Sequence, residues 1–140
     1  MNKRFYFDTS IWLDFFEGRN EPNMSKGEWA KKLVAKIIRK GDIIVYSDLV
    51  LRELENEGYS SFNVEDLLFV LERNLLFVES TNAEIKRSKD LAFKRNVPNG
   101  DALHALIARD NNAIFVSLDK HFQSLLDIIH VKKPQELIEL

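Results

Sequence analysis

Short apolar runs alternate along the chain with longer stretches of helical periodicity. Phe5-Tyr6-Phe7 is an aromatic run that stops at Asp8, as a buried strand ending in a polar residue does. Thr9 and Ser10 are N-cap residue types, and Ile11, Trp12, Phe15 and Phe16 follow at helical spacing. After a loop at 18–23, Trp29, Leu33, Val34, Ile37 and Ile38 mark one face of an amphipathic helix closed by Gly41. Ile43-Ile44-Val45-Tyr46 is β-branched and predicts a second strand. Ser47 or Asp48 then caps a helix carrying Val50, Leu51 and Leu54. A further helix is predicted over 63–73, a third strand over 75–78, and a charged helix from Ser80 or Thr81 towards Asn96. The turn at 97–100 precedes a helix opened by Asp101, with Leu103, Leu106 and Ile107 on one side. Residues 113–116 form the fourth strand. Asp119 precedes a last helix with Phe122, Leu125, Leu126 and Ile129, and 129–131 adds a short edge strand.

Strands that are each followed by a helix imply βα crossovers and a parallel sheet covered on both faces. The expected architecture is therefore α/β, a three-layer αβα sandwich with a central parallel sheet of four to five strands, residues 1–140 forming one domain. In such sheets functional groups gather at the carboxyl ends of the strands.

Composition narrows the function classes. The chain is 45% hydrophobic and 30% charged, which excludes a disordered or low-complexity polypeptide. Its formal charge of −2 excludes a globally basic nucleic-acid coat, though not a local basic face. Cysteine is absent, so there is no disulfide scaffold, thiolate zinc site or Cys nucleophile. No apolar run approaches the ~20 residues of a membrane span, and the stretch before Asp8 is too short for a signal-peptide core. A soluble, cytoplasmic protein is expected.

The acids supply the candidate chemistry. Asp8 directly follows the first strand, and Asp119 lies two residues past Ser117 at the end of the fourth. Glu53 and Glu55 lie in the helix after the second strand, and Asp101 in the first turn of the helix leading to the fourth. A parallel sheet can bring such distant residues to one edge. Carboxylates gathered at one point repel one another in a low dielectric unless a cation neutralises them. Oxygen ligands without Cys, and without His at a partner spacing, favour Mg²⁺ or Mn²⁺ over Zn²⁺. That is the chemistry of metal-assisted phosphodiester hydrolysis.

Phe5-Tyr6-Phe7-Asp8-Thr9-Ser10, Ser47-Asp48-Leu49-Val50-Leu51-Arg52-Glu53-Leu54, Asn99-Gly100-Asp101-Ala102-Leu103-His104-Ala105 and Val116-Ser117-Leu118-Asp119-Lys120-His121-Phe122, in that order, resemble the PIN-domain family. In particular the set looks like the VapC-type toxin endoribonucleases. The resemblance assigns Asp8, Glu53, Asp101 and Asp119 to the family's four metal-binding, catalytic acids. It places Ser117 near metal and phosphate, with Thr9 beside Asp8 as a second substrate-facing residue. It implies Mg²⁺- or Mn²⁺-dependent cleavage of single-stranded or structured RNA, leaving 5′-phosphate and 3′-hydroxyl ends. A cognate antitoxin and a homodimer are the implied partners.

Each residue also has a plainer role. Asp8 and Asp119 suit helix caps, Asp101 complements a helix dipole, and Glu53 competes with Glu55 for the second acid position. His104, His121 and His130 share no metal-binding spacing and read as structural or surface residues, although His104, three residues after Asp101, could orient a water or a phosphate. Asp14 reads as helix surface and Asp48 as a cap. Residues 26–40 hold six basic residues against one acid, and 84–95 five against two; either patch could contact phosphates or be an ordinary solvated face. The alternative function is a non-catalytic RNA- or protein-binding module, with Trp12, Phe15, Phe16 and Trp29 forming a dimer or antitoxin face. A phosphatase of the haloacid-dehalogenase type also opens on an apolar strand ending in Asp, but its second Asp is Ser10 here.

Overall fold

The computed structural model describes residues 2–138. Five parallel strands, β1 (Arg4–Phe7), β2 (Ile43–Ser47), β3 (Leu75–Val78), β4 (Ile114–Val116) and β5 (Val131–Lys132), form one sheet in the order β3-β2-β1-β4-β5. The chain steps outward from β1 to β2 to β3, then crosses back past β1 to β4. Right-handed crossovers therefore put the connections before and after β3 on opposite faces of the sheet. On the first side α1 (Thr9–Glu17) packs on α2 (Lys26–Lys40) and α3 (Asp48–Asn56), followed by α4 (Ser61–Leu68). On the second, α5 (Asn82–Arg95) pairs with α6 (Asn99–Asp110). The last helix, α7 (Pro134–Ile138), returns to α2. This is the expected three-layer sandwich.

Period-two alternation on β1 distributes the aromatic run. Phe7 meets Trp12 of α1, whereas Tyr6 meets His104 of α6 and Phe115 of β4. Helix α6 is buried from Ala102 to Ala108, His104 included, because it lies between the sheet and α5. Trp12 is fully buried against Phe7, Phe15 and Phe16, so it belongs to the core and not to an exposed aromatic face. Phe15, Phe16 and Trp29 are half-buried.

Several local expectations change. The helix over 63–73 becomes α4 followed by a 3-10 segment, Phe69–Asn74. The residues pointing inward there are Leu68 and Leu71, three apart, which a 3-10 turn eclipses on one side while Phe69 and Val70 stay 73% and 79% exposed. The predicted last helix after Asp119 is likewise 3-10, Lys120–Leu125. Phe122 and Leu125 are its buried pair, and Leu126 is exposed. The edge strand shifts to Val131–Lys132, paired with Phe115 and Val116. Helix α6 begins at Asn99, earlier than Asp101. Ile38 lies outside the buried stripe of α2, where Ala30 takes part instead.

Gly27 marks the closest helix approach. A Cβ there would sit 2.4 Å from the backbone of Gly18, so any side chain would push α2 off the end of α1.

Candidate functional site

β1 connects towards one edge of the sheet and β4 towards the other, so the topological switch point lies between them, at their carboxyl ends. Asp8 and Ser117 are the first residues beyond those ends. A cleft of about 380 Å³ opens there, lined among others by Asp8, Thr9, Ser10, Glu53, Asp101, His104 and Asp119. All four sequence-predicted acids thus reach one cleft from four different segments. Glu55 does not: it is exposed on α3, outside the cleft lining.

Asp8, fully buried, is also the N-cap of α1, in place of Thr9 or Ser10. Its Oδ1 accepts from the backbone N–H of Ile11 (3.1 Å) and from the Ser10 hydroxyl (2.6 Å), and its Oδ2 accepts from the Ser117 hydroxyl. Three of a carboxylate's roughly four acceptor positions are thereby used. Burial pushes the Asp8 carboxyl above its ordinary range, and the Ser10 and Ser117 hydroxyls oppose the shift. The Ser117 oxygen in turn accepts from the backbone N–H of Asp119 at 2.9 Å, tying the end of β4 to the end of β1.

Glu53 reaches across the sheet edge from α3. Its Oε1 accepts from the Thr9 hydroxyl and from His104 Nε2, the latter at 2.6 Å. Oε2 faces the first turn of α6, where a Cβ on Gly100 would lie 3.1 Å away; glycine leaves it room. Burial alone would raise the Glu53 carboxyl, but the His104 and Thr9 contacts outweigh it and hold it below its ordinary value.

Asp101 and Asp119 face each other. Together with His121 each offers a ligand atom within 4.8 Å of the others, and among the described residues this is the one such grouping of acids and imidazoles. His121 Nδ1 lies 3.2 Å from Asp101 and 3.3 Å from Asp119. Burial and then the Asp119 charge hold the Asp101 carboxyl above its ordinary value. Asp119 also caps the following 3-10 turn.

Among the described residues no Lys or Arg forms an ion pair with Asp8, Glu53, Asp101 or Asp119. Hard oxygen donors left without a Lys or Arg partner fit a divalent cation of the Mg²⁺ or Mn²⁺ type.

The PIN-domain family model matches residues 5–126. The chain belongs to the PIN-domain family. No curated protein matches it. Solved structures share this fold at low sequence identity. A toxin–antitoxin complex from Klebsiella pneumoniae has a TM-score of 0.63 and 18% identity, over 93% of this chain and 97% of that one. VapBC2 from Rickettsia felis, bound to a promoter DNA fragment, gives 0.66 and 15%, over 93% and 98%. The Sarcin-Ricin loop cleaving toxin VapC20 of Mycobacterium tuberculosis gives 0.63 and 18%, over 86% and 94%.

His104 lines the cleft of this PIN domain, and His121 and Gly100 lie against its acids. His104, expected to be structural or surface or else to orient a water or a phosphate, is buried and contacts Glu53. Its signal was the i+3 spacing from Asp101, which places both on one side of α6. His121 was set aside for lack of ligand spacing, although Asp119-x-His121 brings its ring to two acids. Gly100 carried no side chain to notice. Two other readings are corrected. Asp14 is buried beside Arg19 (3.1 Å) rather than on the helix surface. Ser47, not Asp48, caps α3, while Asp48 receives both the backbone N–H and the hydroxyl of Ser80.

The basic patches divide as well. Lys36, Arg39 and Lys40 gather with Lys3 at the amino ends of the strands, on the far side of the sheet from the cleft. On α5, Lys94 and Arg95 pair with Asp90 and Asp127. Among the described residues no helix is long and apolar enough to cross a membrane.

Proposed function

We propose that this PIN domain is a metal-dependent endoribonuclease, acting in the cytoplasm as the toxin of a toxin–antitoxin pair. One observation carries the reading: Asp101 and Asp119 are folded against each other, without Lys or Arg, in the cleft that also holds Asp8 and Glu53. Like charges are expensive to assemble in a half-buried site, and a bound cation reverses that cost. Asp8, Glu53, Asp101 and Asp119 would hold Mg²⁺ or Mn²⁺, which when bound would supply an acidified water and offset the charge that develops at the phosphodiester.

The protein groups do the positioning. Glu53 presents Oε2, its Oε1 being already engaged. Asp8 is held by Ser10, Ser117 and the start of α1, so its carboxylate needs no reorganisation when phosphate arrives. Ser117 and Thr9 stand next to the scissile phosphate in this reading, acting through the carboxylates to which they donate. His121 borders the open side.

The toxin assignment and an antitoxin partner rest on similarity of fold to the toxin–antitoxin complex of Klebsiella pneumoniae. The RNA substrate class rests on the family and on the similarity to VapC20. A homodimer is the expected assembly by family likeness. The test is cleavage of single-stranded RNA with Mn²⁺, with EDTA added, and by Asp8→Asn. Cleavage is expected only in the first; equal cleavage in all three overturns the reading.

A further inference from the structure

Behind Glu53 runs a chain of buried polar groups that metal binding does not itself require. His104, 2% exposed, contacts Glu53 Oε1 through Nε2 at 2.6 Å. Its Nδ1 meets the Tyr6 hydroxyl at 2.7 Å, and that hydroxyl meets Ser47 Oγ at 2.7 Å. Ser47 also accepts from the Val50 N–H at the start of α3. The chain therefore joins β1, β2, α3 and α6. Tyr6 and Ser47 are wholly buried, so each of these groups must find its partners inside the protein.

We propose that His104 is a positioning residue for the metal site, fixing Glu53 of α3 against α6 at a set distance from Asp101, and that Tyr6 and Ser47 lock its ring. The inference rests on the metal reading above. A carboxylate only accepts, so Nε2 must carry the hydrogen that goes to Oε1. That contact and the Thr9 hydroxyl occupy Oε1, which leaves Oε2 as the oxygen directed to the cation. His104 lies one helical turn after Asp101, so the same side chain sets the spacing between Glu53 and the Asp101–Asp119 pair. Tyr6 packs edge-on against Phe115 and tilted against His104, which restrains the ring from turning. The polar chain joins segments that are distant in sequence, and a buried network of this kind specifies one geometry only when every member is satisfied.

The test compares Mn²⁺ binding by calorimetry, without RNA, in the wild type and three variants. Gln at position 104 places its amide N–H near the site of Nε2, whereas Asn places its own near Nδ1. His104→Gln should therefore bind within about twofold of wild type. His104→Asn, which loses the hydrogen bond to Glu53, and Tyr6→Phe, which loses those to His104 and Ser47, should bind roughly three- to tenfold more weakly. Tyr6→Phe keeps the aromatic ring and removes only the hydroxyl, which keeps the comparison usable if position 104 tolerates no change. Independently, ¹⁵N-histidine spectra of the wild type should show a proton on Nε2 of His104. Wild-type binding that all three variants match, or a ring protonated on Nδ1 alone, would overturn the positioning role and leave the metal site standing. A wild type that binds no Mn²⁺ would overturn both.

Discussion

The cleft has two halves that manage negative charge in opposite ways. On the Glu53 side the carboxylate is surrounded by donors, Thr9 and His104, and it is held below its ordinary pKa. On the Asp101 side two acids face each other with an imidazole between them, and Asp101 is held above its ordinary pKa. One half is prepared by the fold alone, whereas the other waits for a counter-charge. A site built entirely like the first would have little need of a cation, and one built entirely like the second would have little to orient it.

Removing charge from the waiting half should have the largest effect. Asp101→Asn is expected to lower Mn²⁺-supported RNA cleavage at least about a hundredfold, since a lost metal ligand forfeits several kcal/mol of charge stabilisation. Single-turnover rates check this. In the metal-free protein the two halves should then diverge in sign. Asp101→Asn relieves the repulsion with Asp119 and should raise the melting temperature by a few degrees. Glu53→Gln weakens two hydrogen bonds to a charged acceptor and should lower it by a similar amount. Shifts of the same sign in the two variants would erase the contrast.

The pH dependence sharpens it further. Because the folded-state pKa of Asp101 is raised, its contribution is fully present below the ordinary value of 3.8 and is lost as pH rises through the raised value. Because that of Glu53 is lowered, its contribution is present above the ordinary 4.5 and is lost as pH falls through the lowered value. Metal-free melting curves should therefore show a loss of stability on the alkaline side of the carboxylate range that Asp101→Asn reduces, and one on the acid side that Glu53→Gln reduces. The smallest expected effect is at Gly100. Alanine there gains helix propensity of up to about 1 kcal/mol but crowds Glu53 Oε2. Gly100→Ala should therefore bind Mn²⁺ about two- to fivefold more weakly with stability unchanged or slightly raised; calorimetry and melting curves separate the two.

The layout of strands and helices was readable because burial imposes a period. Phe5-Tyr6-Phe7 and Ile43-Ile44-Val45-Tyr46 are continuous apolar runs, as strands covered on both faces must be. Errors arose where three-residue spacing suited two structures. Leu68–Leu71 and Phe122–Leu125 fit an α-helix and a 3-10 turn equally well, and the choice depends on where the chain must go next. Asp8 and Asp119 were legible from their place after strands, whereas Glu53 and Asp101 lie within helices and were assigned by resemblance. Their partners were less legible: nothing local distinguishes His104 from a core histidine, because its contact with Glu53 is made across 51 positions. Asp14 looked like surface because the Arg19 that covers it comes from beyond the helix end.

The sequence by itself determined the alternation of strands and helices, which follows from local periodicity, and it set Asp8 and Asp119 beside strand ends while leaving Glu53 against Glu55 open. Tertiary structure alone decided that both oxygens of Asp8 and Oε1 of Glu53 are engaged, that His104 and His121 join the site, and that half of the basic charge on α2 lies away from it. Those outcomes depend on contacts between segments that only chain crossing brings together, and a linear pattern carries no record of the distance between them.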